Sequence, residues 1–205
     1  MSDVLLYLET AHGADGAALK KPAAEVATAG RALADAMGGR LVALVTGDPA
    51  GARELLGRHG VDVVLGARGE AFGAHLLESQ AAALEAAIAS VSPGAVLLAA
   101  TVLGKELGAY VAGRAGLGLI SDEISVTFED GRVVATKPKF AGKALARVAA
   151  TGPVVVSLRP NAIPPAENPH EASTEALTVE APAARIRVRD VVEAAEKKLE
   201  LTEAE

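Results

Sequence analysis

The residues best suited to chemistry lie on one stretch, Ala99-Ala100-Thr101-Val102-Leu103-Gly104-Lys105-Glu106-Leu107. An apolar run ends there and a helical pattern begins, a junction that offers free backbone N–H groups and a partial positive charge to an anion. Thr101, Gly104 and Lys105 are the candidate phosphate-loop residues, although an ordinary cap and turn accounts for the same three. Glu9 and His12 follow the first apolar run, where crevices in open α/β sheets form, and surface-loop residues would look the same. The other histidines, His59, His75 and His170, stand far from each other and from His12, without a second ligand at metal spacing, so no metal site is expected. Gly13-Ala14-Asp15-Gly16 reads as a turn, because it is not a Gly-Xaa-Gly-Xaa-Xaa-Gly fingerprint. Neither a nucleophile elbow nor a Gly-Xaa4-Gly-Lys-Ser/Thr loop occurs. Cysteine is absent, which removes disulfides, thiolate catalysis, thiolate zinc sites and cysteine-ligated clusters. No catalytic residue is assigned, and no bond-making enzyme is expected.

The elements that must position this stretch alternate along the first half. Apolar runs at Val4–Leu8, Leu41–Thr46, Val61–Leu65 and Ala95–Ala100 predict buried strands. Alanine-rich segments at Pro22–Met37, Ala50–His59, Ala74–Val91 and Gly104–Ala115 have helical spacing between them. Gly38, Gly60 and Ser92-Pro93-Gly94 supply stops, and Pro22 suits a first helical turn. The pattern is an α/β fold: a doubly wound, mainly parallel sheet.

After Ser121 the rhythm turns β-rich. Glu123–Glu129 and Arg132–Lys137 flank Asp130-Gly131, the strongest hairpin signal in the chain. Ala144–Ala149 and Pro153–Leu158 predict two more strands, so an antiparallel hairpin region extends or covers the parallel sheet. Residues 1–159 are thus expected as one α/β domain. Residues 160–189, with Pro160, Pro164, Pro165, Pro169 and Pro182, read as an extended arm or linker. Thr178–Glu180 and Ile186–Val188 are its possible short strands. Residues 190–205 read as a helix over Asp190–Leu199 and then a hinge towards a further domain.

Charge and composition exclude several classes. The chain has 205 residues, with 20 basic and 26 acidic side chains, a formal charge of −6. Its last sixteen residues carry six acids and two lysines, which leaves the body close to neutral. No basic stripe exists, and Tyr7, Phe72, Tyr110, Phe128 and Phe140 are too dispersed for base stacking, so nucleic-acid binding is not expected. No apolar run reaches the roughly 18 residues of a membrane span. Met1-Ser2-Asp3 leads straight into the first strand without a basic leader, and a cytoplasmic bacterial protein is expected.

The order of four motifs adds a resemblance. Ala100–Leu107 is followed by Gly116-Leu117-Gly118-Leu119-Ile120-Ser121-Asp122, then Lys137-Pro138-Lys139-Phe140-Ala141-Gly142-Lys143-Ala144, then Val156-Ser157-Leu158-Arg159-Pro160. This series resembles the N-terminal domain of the electron transfer flavoprotein α subunit over residues 1–190. Val4–Glu9 resembles that family's opening strand, and Leu201-Thr202-Glu203-Ala204 its hinge into a second domain. The resemblance implies an electron carrier that pairs with a β subunit. It would take electrons from acyl-CoA and related dehydrogenases, as in fatty acid β-oxidation, and pass them to a quinone reductase. It implies FAD in the full heterodimer, held mainly by a C-terminal domain that this sequence lacks, and AMP on the partner β subunit. The resemblance implies that the domain seen here has an α/β fold of the adenine-nucleotide-hydrolase-like type and supplies scaffold and subunit contact, with no flavin ligand carried over onto its residues. The alternative is a stand-alone adenine-nucleotide-binding protein of the universal-stress type, using Thr101–Lys105 on phosphate.

Overall fold

A computed structural model describes residues 1–190 except 14–15, 74–75, 184–185 and 187–188. In chain order the elements are β1 (Val4–Tyr7), β2 (Thr10–Gly13), β3 (Gly16–Leu19), α1 (Lys21–Met37), β4 (Leu41–Thr46), α2 (Pro49–Arg58) and β5 (Val63–Ala67). Then follow α3 (Glu70–Gly73), α4 (Leu77–Val91), β6 (Ala95–Ala99), α5 (Val102–Ala115), β7 (Gly118–Glu123) and β8 (Ser125–Glu129). The last described elements are β9 (Arg132–Lys139), β10 (Ala144–Ala150), β11 (Val154–Leu158) and β12 (Ser173–Leu177).

The apolar runs pair as a parallel sheet because they are buried on both faces. Its order is β12-β5-β4-β1-β6-β11-β7, and all of its pairings are parallel. Alternation within β1 shows the two layers. Val4 and Leu6 join α1 and α2 in one core cluster, whereas Leu5 and Tyr7 join α4 and α5 in the other. Glycine ends α1 at Gly38 and α5 at Gly116, both left-handed, and the Asp48 side chain caps α2 at its Ala50 N–H. This is the doubly wound α/β fold that the alternation predicts.

Several boundaries differ, each for a local reason. β5 starts at Val63 rather than Val61, because left-handed Gly60 and the Val61 N–H still close α2 onto Leu56. The run expected as one helix over Ala74–Val91 contributes α4 only from Leu77, after the short α3. The strand expected over Glu123–Glu129 starts at Ser125 as β8, and Glu123 instead ends β7 of the parallel sheet. Asp122, with φ 67°, turns the chain where β7 leaves the parallel sheet and β8 begins another. That second sheet, β10-β9-β8, is antiparallel and packs Val126, Phe128, Val133 and Ala135 against the α1 side. Asp130-Gly131 forms its β8–β9 tip, as expected. Gly13 and Gly16 close a β2–β3 hairpin whose Ala14 and Asp15 lie outside the described residues. His75, part of Ile186–Val188 and the helix expected over Asp190–Leu199, beyond Asp190 itself, also lie outside them.

The segment after Arg159 is fastened to its own domain. Asn161 N–H donates to Glu25, Ala166 N–H to Thr28, Asn168 N–H to Arg58 and His170 N–H to Gly57. It then supplies β12, parallel to β5, while Thr178–Glu180 lies just beyond that strand. Asp62 is the knot of this attachment. Its carboxylate accepts from Leu41 N–H and Arg31 Nη1, both at 2.8 Å, and meets His170 Nδ1 at 2.7 Å. Burial pushes the Asp62 carboxyl up, but the Leu41, Arg31 and His170 contacts outweigh it and hold it below its ordinary range. That stabilisation is therefore present above the ordinary carboxylate value and lost as pH falls through the lowered one. Asp62→Ala is expected to cost about 3 kcal/mol. It should also loosen the backbone around the exposed Glu167 and Glu171 and so speed cleavage there by a glutamyl protease, which limited proteolysis followed by mass spectrometry checks.

Candidate functional site

The sheet order places a crevice. From β1 the chain winds outward through β4 to β5 and then returns to β6 on the other side of β1. Ligand crevices in open α/β sheets form where the winding reverses, at strand C-termini. Here those ends carry Tyr7-Leu8-Glu9 after β1 and Ala100-Thr101 after β6.

Glu9 and Thr101, 92 positions apart in sequence, meet there: the Thr101 hydroxyl donates to the Glu9 carboxylate. Thr101 is also the N-cap of α5, its Oγ1 accepting from Gly104 N–H at 3.0 Å. The second Glu9 oxygen stands 3.7 Å from Lys20 Nζ. The β2–β3 hairpin explains that pair, because the Thr10↔Leu19 register brings the flanking Glu9 and Lys20 to the same end.

Glu9 and Lys20 edge a cleft of about 400 Å³, whose wall also includes Tyr7, Leu8, Thr46, Gln80 and Leu103. Burial first, and the Glu9 carboxylate second, raise the Tyr7 phenol well above its ordinary pKa. Gln80 is only 1% exposed, and its side-chain oxygen has no hydrogen-bond partner. The cleft is thus rich in acceptors, with Glu9 and the Gln80 oxygen both able to take a donor.

The phosphate-loop candidates take different places. Thr101 reaches the crevice, but its hydroxyl is engaged on both sides. Gly104 is packed against the end of β6: a Cβ there would stand 1.9 Å from the Ala99 carbonyl oxygen. Lys105 is exposed; its charge helps lower the Asp122 carboxyl, which Arg159 holds down most strongly through a 2.6 Å contact. His12 lies in β2, His59 approaches the Ala166 carbonyl at 3.2 Å, and His170 is spent on Asp62. Among the described residues no group of three or more His, Asp or Glu could hold a metal ion. No helix there is long and apolar enough to cross a membrane.

A second polar node lies where β7 ends. Glu123 is 0% exposed, and neither carboxylate oxygen has a hydrogen bond. Lys137 Nζ stands 3.6 Å from Oε1 and donates to the Ser121 carbonyl at 2.5 Å. Burial raises the Glu123 carboxyl above its ordinary range, and Lys137 offsets only part of that. Sequence patterning missed this pair and Gln80 alike. A lone charged residue in a β-rich run carries no sign of which face it takes, and a Gln inside an alanine-rich helix reads as surface.

Comparison with known proteins now adds to the geometry. The electron transfer flavoprotein domain model matches residues 8–184. The α subunit of the electron transfer flavoprotein of Bacillus subtilis strain 168 is 32% identical over 156 residues, 75% of this chain and 48% of that protein. The Mycobacterium leprae α subunit is 34% identical over 187 residues, 89% of this chain and 54% of its own length. Protein FixB of Clostridium saccharobutylicum is 32% identical over 146 residues, 69% of this chain and 44% of that protein. The chain spans about half the length of the curated relatives it matches. It belongs to the electron transfer flavoprotein family, as a domain of the α-subunit N-terminal type.

Proposed function

We propose that this domain is the scaffold and subunit-pairing part of a flavin electron carrier. It makes no bonds itself, and the flavin is held elsewhere in the assembly. The partner is a β-type subunit, on which AMP sits. Electrons arrive from acyl-CoA and related dehydrogenases and leave towards a quinone reductase. The names of the relatives and the order of motifs support this reading. So does one observation in the crevice: its helix N-terminus already faces a carboxylate of the same chain. A pyrophosphate brought to α5 would meet Glu9 at close range, where like charges repel by several kcal/mol even at an effective dielectric of about 20. Nor does the cleft offer an open aromatic face for an isoalloxazine ring, since Tyr7 is buried and Phe72 belongs to the core. The described residues of this crevice do not fit FAD.

Titrating FAD into the purified chain while following flavin fluorescence is expected to show no saturable complex. A stoichiometric complex of micromolar or tighter affinity would overturn the assignment. A second reading, adenine-nucleotide binding, draws on the unpartnered Gln80 oxygen in a crevice at the winding reversal. It predicts that Glu9→Gln tightens AMP binding by at least about tenfold, since the repelled phosphate then meets an uncharged amide. Calorimetry with AMP and adenosine on both forms separates the two: no heat from either ligand with either form supports the scaffold.

A further inference from the structure

The β8–β9 and β9–β10 tips both turn through left-handed residues, in a two-residue loop at the first and a four-residue loop at the second, and their chemistry is opposite. At the β8–β9 tip, Asp130 and Gly131 have φ of 49° and 75°, the left-handed pair that tight hairpins need and that Asp-Gly adopts at low cost. At the β9–β10 tip, Phe140 and Ala141 have φ of 51° and 53°, followed by Gly142 at 85°. The turn is closed by Gly142 N–H to the Lys139 carbonyl at 3.1 Å and Lys143 N–H to the Phe140 carbonyl at 3.2 Å. A phenylalanine and an alanine there are strained, and strain of this kind persists only where something outside the local chain favours it.

Among the described residues nothing rewards Phe140, whose side chain projects from the tip 80% exposed. Behind it, Leu145 is 67% exposed and sits directly across from Pro138. β10 is an edge strand, so its outer side has no neighbour in this sheet. The charges are as telling. Arg147 is paired with Glu129 and Lys137 with Glu123, but among the described residues Lys139 and Lys143, which flank Phe140, have no ion-pair partner. Two cations without an ion-pair partner thus stand beside an exposed ring, although the charge of Lys139 is felt by the buried Glu123 carboxyl.

We infer that the β9–β10 tip is a docking pin: Phe140 inserts into an apolar pocket on the β-type partner subunit, and Lys139 and Lys143 meet an acidic rim around it. An aromatic anchor inside a ring of polar contacts is how interfaces concentrate their affinity. Complementary charges would steer the approach, and pairing would compensate the strain stored at the turn. The inference rests on the subunit-pairing reading above and names the residues that carry it.

The test measures pairing of the full chain with the β-type subunit from the same genome by calorimetry and stopped-flow. The forms are wild type, Phe140→Gly, Lys139→Glu/Lys143→Glu and, as a control, Val102→Ser, which removes an exposed apolar group far from the hairpin in sequence. Phe140→Gly should weaken pairing at least ~30-fold, as loss of an anchor residue does, while the melting temperature of the free domain holds or rises because glycine relieves the turn. The charge reversal should slow association at least ~10-fold at low salt, with the difference shrinking at high salt. Val102→Ser should pair as wild type. Pairing of wild type together with unchanged pairing of Phe140→Gly overturns the pin and leaves the function standing. Failure of the wild type to pair overturns the functional reading itself. If the wild type self-associates and Phe140→Gly does not, the occupant is a second copy, and the partner assignment is wrong.

Discussion

Lys137→Met is expected to destabilise the domain by about 3–5 kcal/mol at neutral pH, the cost of stripping the partner from a buried charge. Glu123 sits at full burial with no hydrogen bond on either oxygen, and Lys137 at 3.6 Å is its only ion-pair partner among the described residues. The pH dependence identifies the cause. Burial raises the Glu123 carboxyl above its ordinary value, so the folded state binds its proton more readily than the unfolded chain does. Glu123 therefore favours folding least at high pH, and stability falls as pH rises through its raised value. Removing the lysine raises that value further. The deficit of Lys137→Met should be largest at high pH and shrink as falling pH neutralises Glu123, down to a residue from the lost bond to the Ser121 carbonyl. The double variant Lys137→Met/Glu123→Gln should recover most of the loss at pH 7. Urea unfolding across pH checks both, and a deficit independent of pH would show that Lys137 acts through packing alone.

What the sequence showed and hid follows from how local each signal is. The doubly wound sheet was legible because strands buried on both faces must be apolar throughout, as Val4–Tyr7 and Leu41–Thr46 are, and because the helices between them keep their own period. Asp130-Gly131 was legible because left-handed turns select that dipeptide. β7 was not, since Gly118-Leu119-Ile120-Ser121 follows a helix stop and gains its place only by pairing with β11, itself far along the chain. β12 was hidden for a similar reason. Ser173–Leu177 holds one strong strand former and joins the sheet at its edge, helped by the Asp62 knot. The candidate site shows the same division. Glu9 and Thr101 were each visible as residues at strand ends, but their bond depends on β1 and β6 being neighbours. Lys20 needed a hairpin, and Gln80 needed the burial of one face of α4.

Gly104 is the residue on which the two readings part most sharply, and its substitution has an unusual sign test. As a phosphate-loop glycine it would serve a ligand, and alanine would leave the fold intact. In the structure it lets the first turn of α5 press onto the end of β6, where an alanine Cβ would stand 1.9 Å from the Ala99 carbonyl oxygen and 3.2 Å from Thr101 Oγ1. Backbone cannot rotate away as a side chain can, so the helix start must shift. That shift strains the Thr101 cap, worth about 1 kcal/mol, and disturbs Leu107 and Val111, the fully buried side chains of α5. Against this stands the helical preference of alanine over glycine, about 1 kcal/mol. Overpacking of roughly 1–3 kcal/mol together with the cap exceeds that gain, and Gly104→Ala is expected to lose about 1–3 kcal/mol. Gly113 lies in the same helix, exposed, with nothing within 4 Å of a Cβ built on it. There the same change meets no obstacle, and Gly113→Ala should gain about 0.5–1 kcal/mol. Chemical unfolding of the two variants side by side should move the midpoints in opposite directions. Two shifts of the same sign would mean that the close approach of α5 to β6 is not what selects glycine at 104.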